Sequence, residues 1–320
     1  MPLGDVRVSI FILPWLLALL LTFTGSSMAK TIMIDGPEGP LAGEATAVDG
    51  ARHVIVIIPG SGPVDRDGNS PQGGLATDAY KMLADTLADE GIASIRIDKR
   101  GFFGSSAAIA DPNDVTIEAY AGDARDWLKR AAEMAPCVWI AGHSEGGLVA
   151  LVASRKPPEA LCGLLLLSTA GRPMGKLLRE QLRAMPGMAP SMPAIDRIVT
   201  GLEAGRTADP EELPPHLKAM FSPGLQRYMI DLFSHDPVAL AHDWQGPALI
   251  VQGDADIQVK QIDAILLAEA LPQAEKVVLE GATHMLKVDV PDQPLATYTD
   301  PSHPLHPDLV PAISEFLARN

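Results

Sequence analysis

Val138-Trp139-Ile140-Ala141-Gly142-His143-Ser144-Glu145-Gly146-Gly147-Leu148-Val149-Ala150-Leu151-Val152 is the stretch from which the rest of the chain is read. Its first four residues form an apolar run of strand character, and its last six form a helix-like stretch without a polar side chain. The Gly-x-Ser-x-Gly pentapeptide between them has the sequence context of a nucleophile elbow. A serine hydroxyl is a poor nucleophile at neutral pH. It must be held out of the sheet on a strained turn, beside a base and next to donors for an oxyanion. The flanking glycines let neighbouring backbone approach that turn where a Cβ would collide.

Outward from the elbow, short apolar strands alternate with longer amphipathic helices. Upstream, residues 31–48 predict an antiparallel hairpin, and His53-Val54-Ile55-Val56-Ile57-Ile58 reads as a strand buried on both faces. A Pro/Gly loop at 59–63 follows, then a helix over 76–90, a strand over 93–97, a polar loop at 98–101 and a helix over 115–134. Downstream come strands over 161–167, 248–252 and 276–279, and helices over 261–270 and 308–318. The stretch 290–307, rich in Pro, Asp and His, predicts a surface loop. This rhythm implies an α/β architecture with a mostly parallel sheet flanked by helices. It breaks over residues 171–245, which hold Met174, Met185, Met188, Met192, Met220 and Met229 among leucines and prolines. We read this segment as a helical cap inserted into a catalytic domain of residues 30–170 and 246–320. Its methionines suit either an adaptable apolar roof or a small helical core of its own.

With 320 residues, 47% of them apolar, the chain is long enough to bury a large core. A net charge of −15 argues against nucleic acid or an anionic membrane surface as partner. Residues 1–29 carry Arg7, an apolar run over 8–23 and a small-residue end, Ser26-Ser27-Met28-Ala29. They read as a secretory leader, and the expected location is secreted or periplasmic; the alternative is an uncleaved membrane anchor. The two cysteines, Cys137 and Cys162, open neighbouring predicted strands. They suit buried thiols or, in an oxidising compartment, one cross-strand disulfide.

In a sheet of this kind the acid and base follow the serine on loops after late strands, in that order. Asp256 follows the strand at 248–252 with enough chain to aim back at a histidine, whereas Asp254 suits a turn-stabilising role. His284 follows the strand at 276–279; His242 precedes the acid, and His303 and His306 have no strand to position them. The expected triad is Ser144, Asp256 and His284, with His284 taking the serine proton and Asp256 fixing its tautomer. The backbone N–H groups of Glu145, at a helix start, and of Ser61, with Gly62 close behind, are the expected oxyanion donors. Gly60-Ser61-Gly62 lacks the third glycine of a dinucleotide loop, and His303 and His306 make a poor metal ligand set, so neither cofactor nor metal is expected. Asp98, Lys99 and Arg100 are suited either to a polar substrate group or to pairing, with Asp65, Asp67 or Asp98 as partner for Arg100.

Together, Pro59-Gly60-Ser61-Gly62-Pro63-Val64-Asp65-Arg66-Asp67-Gly68-Asn69, Asp98-Lys99-Arg100-Gly101, Gly142-His143-Ser144-Glu145-Gly146-Gly147, Gly253-Asp254-Ala255-Asp256 and Thr283-His284 resemble the α/β-hydrolase superfamily. The likeness is to its serine esterase branch, similar to EstD-type carboxylesterases. It implies cofactor-free hydrolysis of short-to-medium acyl esters, small-molecule substrates, through an acyl-enzyme on Ser144. It also implies that the Asp65-Arg66-Asp67 loop shapes the entrance, with Gly62 and Arg66 as substrate-contacting candidates; the alternative for that loop is a salt-bridged turn. Two other functions fit the same residues. One is a serine aminopeptidase or amidase, which would capture an amine with cap acids such as Glu203, Asp209, Glu211, Glu212, Asp231 or Asp236. The other is a non-catalytic hydrolase-fold binding protein.

Overall fold

The computed structural model describes residues 28–320. The expected leader therefore lies outside the described residues, except for Met28 and Ala29, which begin the first strand. Eight strands form one sheet in the order β1-β2-β4-β3-β5-β6-β7-β8. The antiparallel hairpin of β1 (Met28–Ile34) and β2 (Leu41–Ala47) is joined antiparallel to β4 (Ala93–Ile97). From β4 onward every pairing is parallel, through β3 (His53–Ile58), β5 (Cys137–His143), β6 (Leu161–Leu167), β7 (Ala248–Gly253) and β8 (Glu275–Leu279).

The continuous apolar run of β3 has a simple cause. Val54, Val56 and Ile58 face the layer of α2 (Ile117–Ala131), α3 (Glu145–Ala153) and α8 (Gln261–Ala270), while Ile55 and Ile57 face the layer of α1 (Ala79–Asp89) and α10 (Leu309–Arg319). Burial on both faces removes the polar alternation a one-sided strand would show. All nine residues of α3 are buried, which accounts for its lack of an amphipathic stripe.

Helix starts follow local capping. α1 begins three residues later than periodicity suggests, because the Asn69 Oδ1 accepts the N–H groups of Thr77 and Asp78 and Asp78 adopts a left-handed φ of 48°. α2 starts where Thr116 Oγ1 accepts the Ala119 N–H at 3.1 Å.

Between β6 and β7 lie α4 (Met174–Ala184), α5 (Met192–Glu203), α6 (Pro223–Phe233) and α7 (Pro237–His242). Ile195, Val199, Leu202 and Phe221 are buried in an apolar cluster of this segment's own. The expected surface loop at 290–307 is mostly exposed, but it is anchored to the body of the protein. It contains the single turn α9 (Ala296–Thr299), buries Thr297, Tyr298 and His306, and supplies the Tyr298 carbonyl to the Ala76 N–H at 2.8 Å. Cys137 and Cys162 form a disulfide between β5 and β6, with Cα atoms 5.6 Å apart.

Candidate active site

Three chain segments converge beyond the carboxyl ends of the central strands. Ser144 joins β5 to α3 with φ 56° and ψ −121°, a conformation that costs a non-glycine residue energy and persists only when its surroundings enforce it. Its N–H donates to the Leu167 carbonyl at 2.9 Å. The glycines on either side are sterically required. A Cβ on Gly142 would lie 2.2 Å from the Gly146 carbonyl oxygen, and one on Gly146 would lie 2.3 Å from that of Ile58.

Asp256, on the loop after β7, is buried and fully partnered. Its Oδ1 accepts the N–H groups of Gln258 and Val259 at 2.7 and 2.9 Å, and its Oδ2 accepts from Gln252 Nε2 at 3.2 Å and from His284 Nδ1 at 2.8 Å. Burial pushes this carboxyl up, but His284 and the two backbone donors outweigh it and hold the pKa below the ordinary carboxylate value. A carboxylate can only accept, so His284 donates from Nδ1 and leaves Nε2 free to take a proton. Ser144 and His284 line the same small cavity, of about 100 Å³. Asp254 is turned elsewhere, its Oδ1 accepting the Gly281 N–H at 2.6 Å.

Beneath His284 lies a group that the sequence reading passed over. His143, the first variable position of the pentapeptide, is buried with its ring centroid 4.7 Å from that of His284. Its Nε2 lies 2.7 Å from the His284 carbonyl oxygen, which can only accept, so Nε2 carries the proton. Nδ1 must then accept from the Tyr80 hydroxyl at 2.7 Å, and that hydroxyl in turn accepts the Gly60 N–H at 3.2 Å. Burial, with the neighbouring His284, lowers the His143 pKa to about 3, so the ring is neutral. Tyr80 reads in the sequence as one more apolar residue on the buried side of α1; its hydroxyl was the unused signal.

Glu145 opens α3, so its N–H is among the first-turn donors that have no partner within the helix. Ser61 lines both the small cavity and a larger one of about 460 Å³. Gly62, Glu145 and Lys99 also line the larger cavity, which α4 and α6 wall with Leu177, Leu178, Met229 and Leu232. Arg66 lines neither cavity. Its Nε and Nη2 donate to the buried Asp98 at 3.1 and 2.5 Å, and its N–H donates to the same carboxylate. Asp65 caps its own turn through the N–H groups of Asp67 and Asn69, and Asp67 pairs with Arg96. The loop thus has the geometry of a salt-bridged turn. Arg100 pairs with Asp123 on α2, at 2.9 and 2.5 Å, rather than with Asp65, Asp67 or Asp98. Asp98 is already taken by Arg66, and α2 passes close enough to supply the carboxylate. Among the described residues, no group of three or more His, Cys, Asp or Glu side chains is arranged to hold a metal.

Residues 74–291, more than half of the chain, match the family model described as Serine aminopeptidase, S33. The chain belongs to that hydrolase family. No curated protein matches it in sequence. Among solved structures, this family member is similar to Est1E from Butyrivibrio proteoclasticus, seen with bound ferulic acid, at 19% identity and TM-score 0.58, covering 90% of this chain and 98% of that one. The Pyrococcus furiosus esterase Pf2001 aligns at 16% identity and TM-score 0.56 over 92% and 91% of the two chains. A bromoperoxidase from Bacillus anthracis aligns at 16% identity and TM-score 0.57 over 90% and 100%. At such identities the likeness establishes the fold, that of the α/β-hydrolases, and the family match makes the protein a serine hydrolase.

Proposed function

We propose that this hydrolase is a carboxylesterase acting on short-to-medium acyl esters through an acyl-enzyme on Ser144. Its observational basis is that Ser144 and the Asp256-bound His284 share one cavity, beside a larger, mostly apolar cavity whose one lining carboxylate among the described residues, Glu145, is paired with Lys99. Ser144 Oγ adds to the ester carbonyl carbon while its proton passes to His284 Nε2. Asp256 holds the imidazolium so formed, and the Ser61 and Glu145 N–H groups receive the developing oxyanion. Collapse of the tetrahedral adduct breaks the C–O bond, and the leaving alcohol takes the proton from His284. Water repeats the sequence to free Ser144 and release the acid. The acyl chain occupies the larger cavity, next to Gly62, and the leaving group occupies the smaller.

The family's peptidase description makes aminopeptidase action the specific rival. An aminopeptidase must hold a substrate ammonium, and Glu145, the one carboxylate lining the larger cavity among the described residues, already pairs with Lys99. The other acids lie elsewhere: Glu203 binds Arg179, Asp231 accepts the Ile117 N–H, Asp236 caps α7, Asp209 caps its own turn, Glu211 pairs with Lys218, and Glu212 lines a separate cavity. This distribution favours esters. The catalytic assignment predicts fluorophosphonate labelling that maps to Ser144, and p-nitrophenyl butyrate turnover abolished by Ser144→Ala. Faster cleavage of aminoacyl anilides than of simple esters would instead make it a peptidase, and inertness toward both would remove a catalytic role altogether.

We further propose that the mature protein is exported and keeps no stable membrane attachment after loss of residues 1–29. The Cys137–Cys162 disulfide is in keeping with an oxidising compartment. A membrane-bound fraction retaining the leader in the native host would overturn this.

A further inference from the structure

We infer that Lys99 and the Glu145 side chain act as a positioning pair that aims both oxyanion donors, an inference resting on the esterase reading above. Lys99 Nζ donates to the Gly60 carbonyl oxygen at 2.6 Å and to Glu145 Oε1 at 3.2 Å, with both side chains almost wholly buried. The Gly60 carbonyl and the Ser61 N–H belong to one peptide unit. Among the described residues no peptide bond is cis, so the two groups point in opposite directions from the same plane. Anchoring the carbonyl on Lys99 therefore fixes the direction of the Ser61 N–H. The carboxylate anchoring the same ammonium belongs to Glu145, whose backbone N–H is the second donor. One ammonium thus ties the loop after β3 to the first turn of α3, the two segments that must stay in register around an oxyanion.

The remaining contacts support this geometry. The Lys99 ammonium lies 5.2 Å from the centroid of the Tyr120 ring, which gives its third face a partner. Gly60 is held on its other side as well, through its N–H and the Tyr80 hydroxyl. Burying two charges is costly, and an apolar pair of similar volume commonly serves stability as well. An apolar pair, however, cannot fix the orientation of a carbonyl. Lys99 lines the larger cavity together with both donor residues, Ser61 and Glu145.

Lys99→Met alone would strand a buried carboxylate, so the probe is the double variant Lys99→Met/Glu145→Gln, which removes both charges and keeps the Glu145 backbone N–H. Its kcat on p-nitrophenyl butyrate is expected to fall by about 10²-fold, the scale of losing one oxyanion donor, with KM changed less than about threefold. Affinity for a trifluoromethyl ketone that forms a tetrahedral adduct on Ser144 should fall in parallel, while inhibition by butyrate, a ground-state product, stays as in the wild type. Wild-type kcat in the variant overturns the inference. So does equal loss of ketone and butyrate affinity, or collapse of the melting transition, either of which would make the pair a general support of the fold. If the wild-type enzyme itself neither turns over esters nor labels at Ser144, the esterase reading fails first, an outcome distinct from a variant that stays active.

Discussion

At the scale of single residues, the site is a set of buried polar groups whose protonation is dictated by partners that can only accept. His284 donates to Asp256, and His143 donates to the His284 carbonyl, so both tautomers follow from geometry. Asp256→Asn turns this around, since an amide nitrogen facing Nδ1 favours the wrong tautomer. A loss of about 10⁴-fold in kcat is expected, with KM little changed. Steady-state kinetics on p-nitrophenyl butyrate checks it. His143 yields a stability prediction. Its folded pKa of about 3 lies below the ordinary 6.5, so between these values the unfolded chain binds a proton that the folded protein refuses. Stability from this group is complete above about pH 6.5 and is lost progressively as pH falls toward 3. Melting temperature should therefore drop more steeply over pH 6.5 to 4 in the wild type than in His143→Gln, and parallel curves would refute the neutral buried imidazole.

At the scale of elements, the six methionines of the helical segment divide between the two roles their sequence allows. Met174 and Met229 line the larger cavity, Met188, Met192 and Met220 pack into the segment's own cluster, and Met185 is exposed. α4 and α6 thus supply a wall of the larger cavity, while α5 holds those two helices from behind. On the esterase reading, chain-length preference belongs to this wall. Met229→Trp shortens the cavity and should lower the octanoate-to-acetate ratio of kcat/KM by at least about tenfold, since each misplaced methylene is worth roughly 1–3 kcal/mol. An unchanged ratio across a p-nitrophenyl ester series would place the acyl chain elsewhere.

At the scale of the whole molecule, the parallel sheet brings residues 28 to 140 positions apart in sequence onto one edge. The disulfide ties two of its central strands, β5 and β6, at the end of the elbow strand opposite Ser144. It closes a loop of 25 residues in sequence. In the loop-entropy account such a cross-link contributes about 3 kcal/mol, so Cys137→Ala/Cys162→Ala should melt roughly 5–10 °C lower. Unreduced, denatured wild-type protein should take up no iodoacetamide; labelling of both thiols would show the bond absent.

The architecture and the chain order of Ser144, Asp256 and His284 were legible in the sequence because they rest on local signals. Strands buried on both faces are continuously apolar, the partly solvent-facing helices α1, α2 and α10 carry a stripe, and the elbow needs glycine where backbone meets backbone. Pairings across the fold were not legible in that way. That Arg66 rather than Arg100 takes Asp98, that Arg100 reaches Asp123, and that His143 supports His284 depend on distances between segments far apart in the chain. Those distances are set by strand register and helix crossovers, and a side chain in a sequence carries no mark of which distant carboxylate or carbonyl will be brought within 3 Å of it.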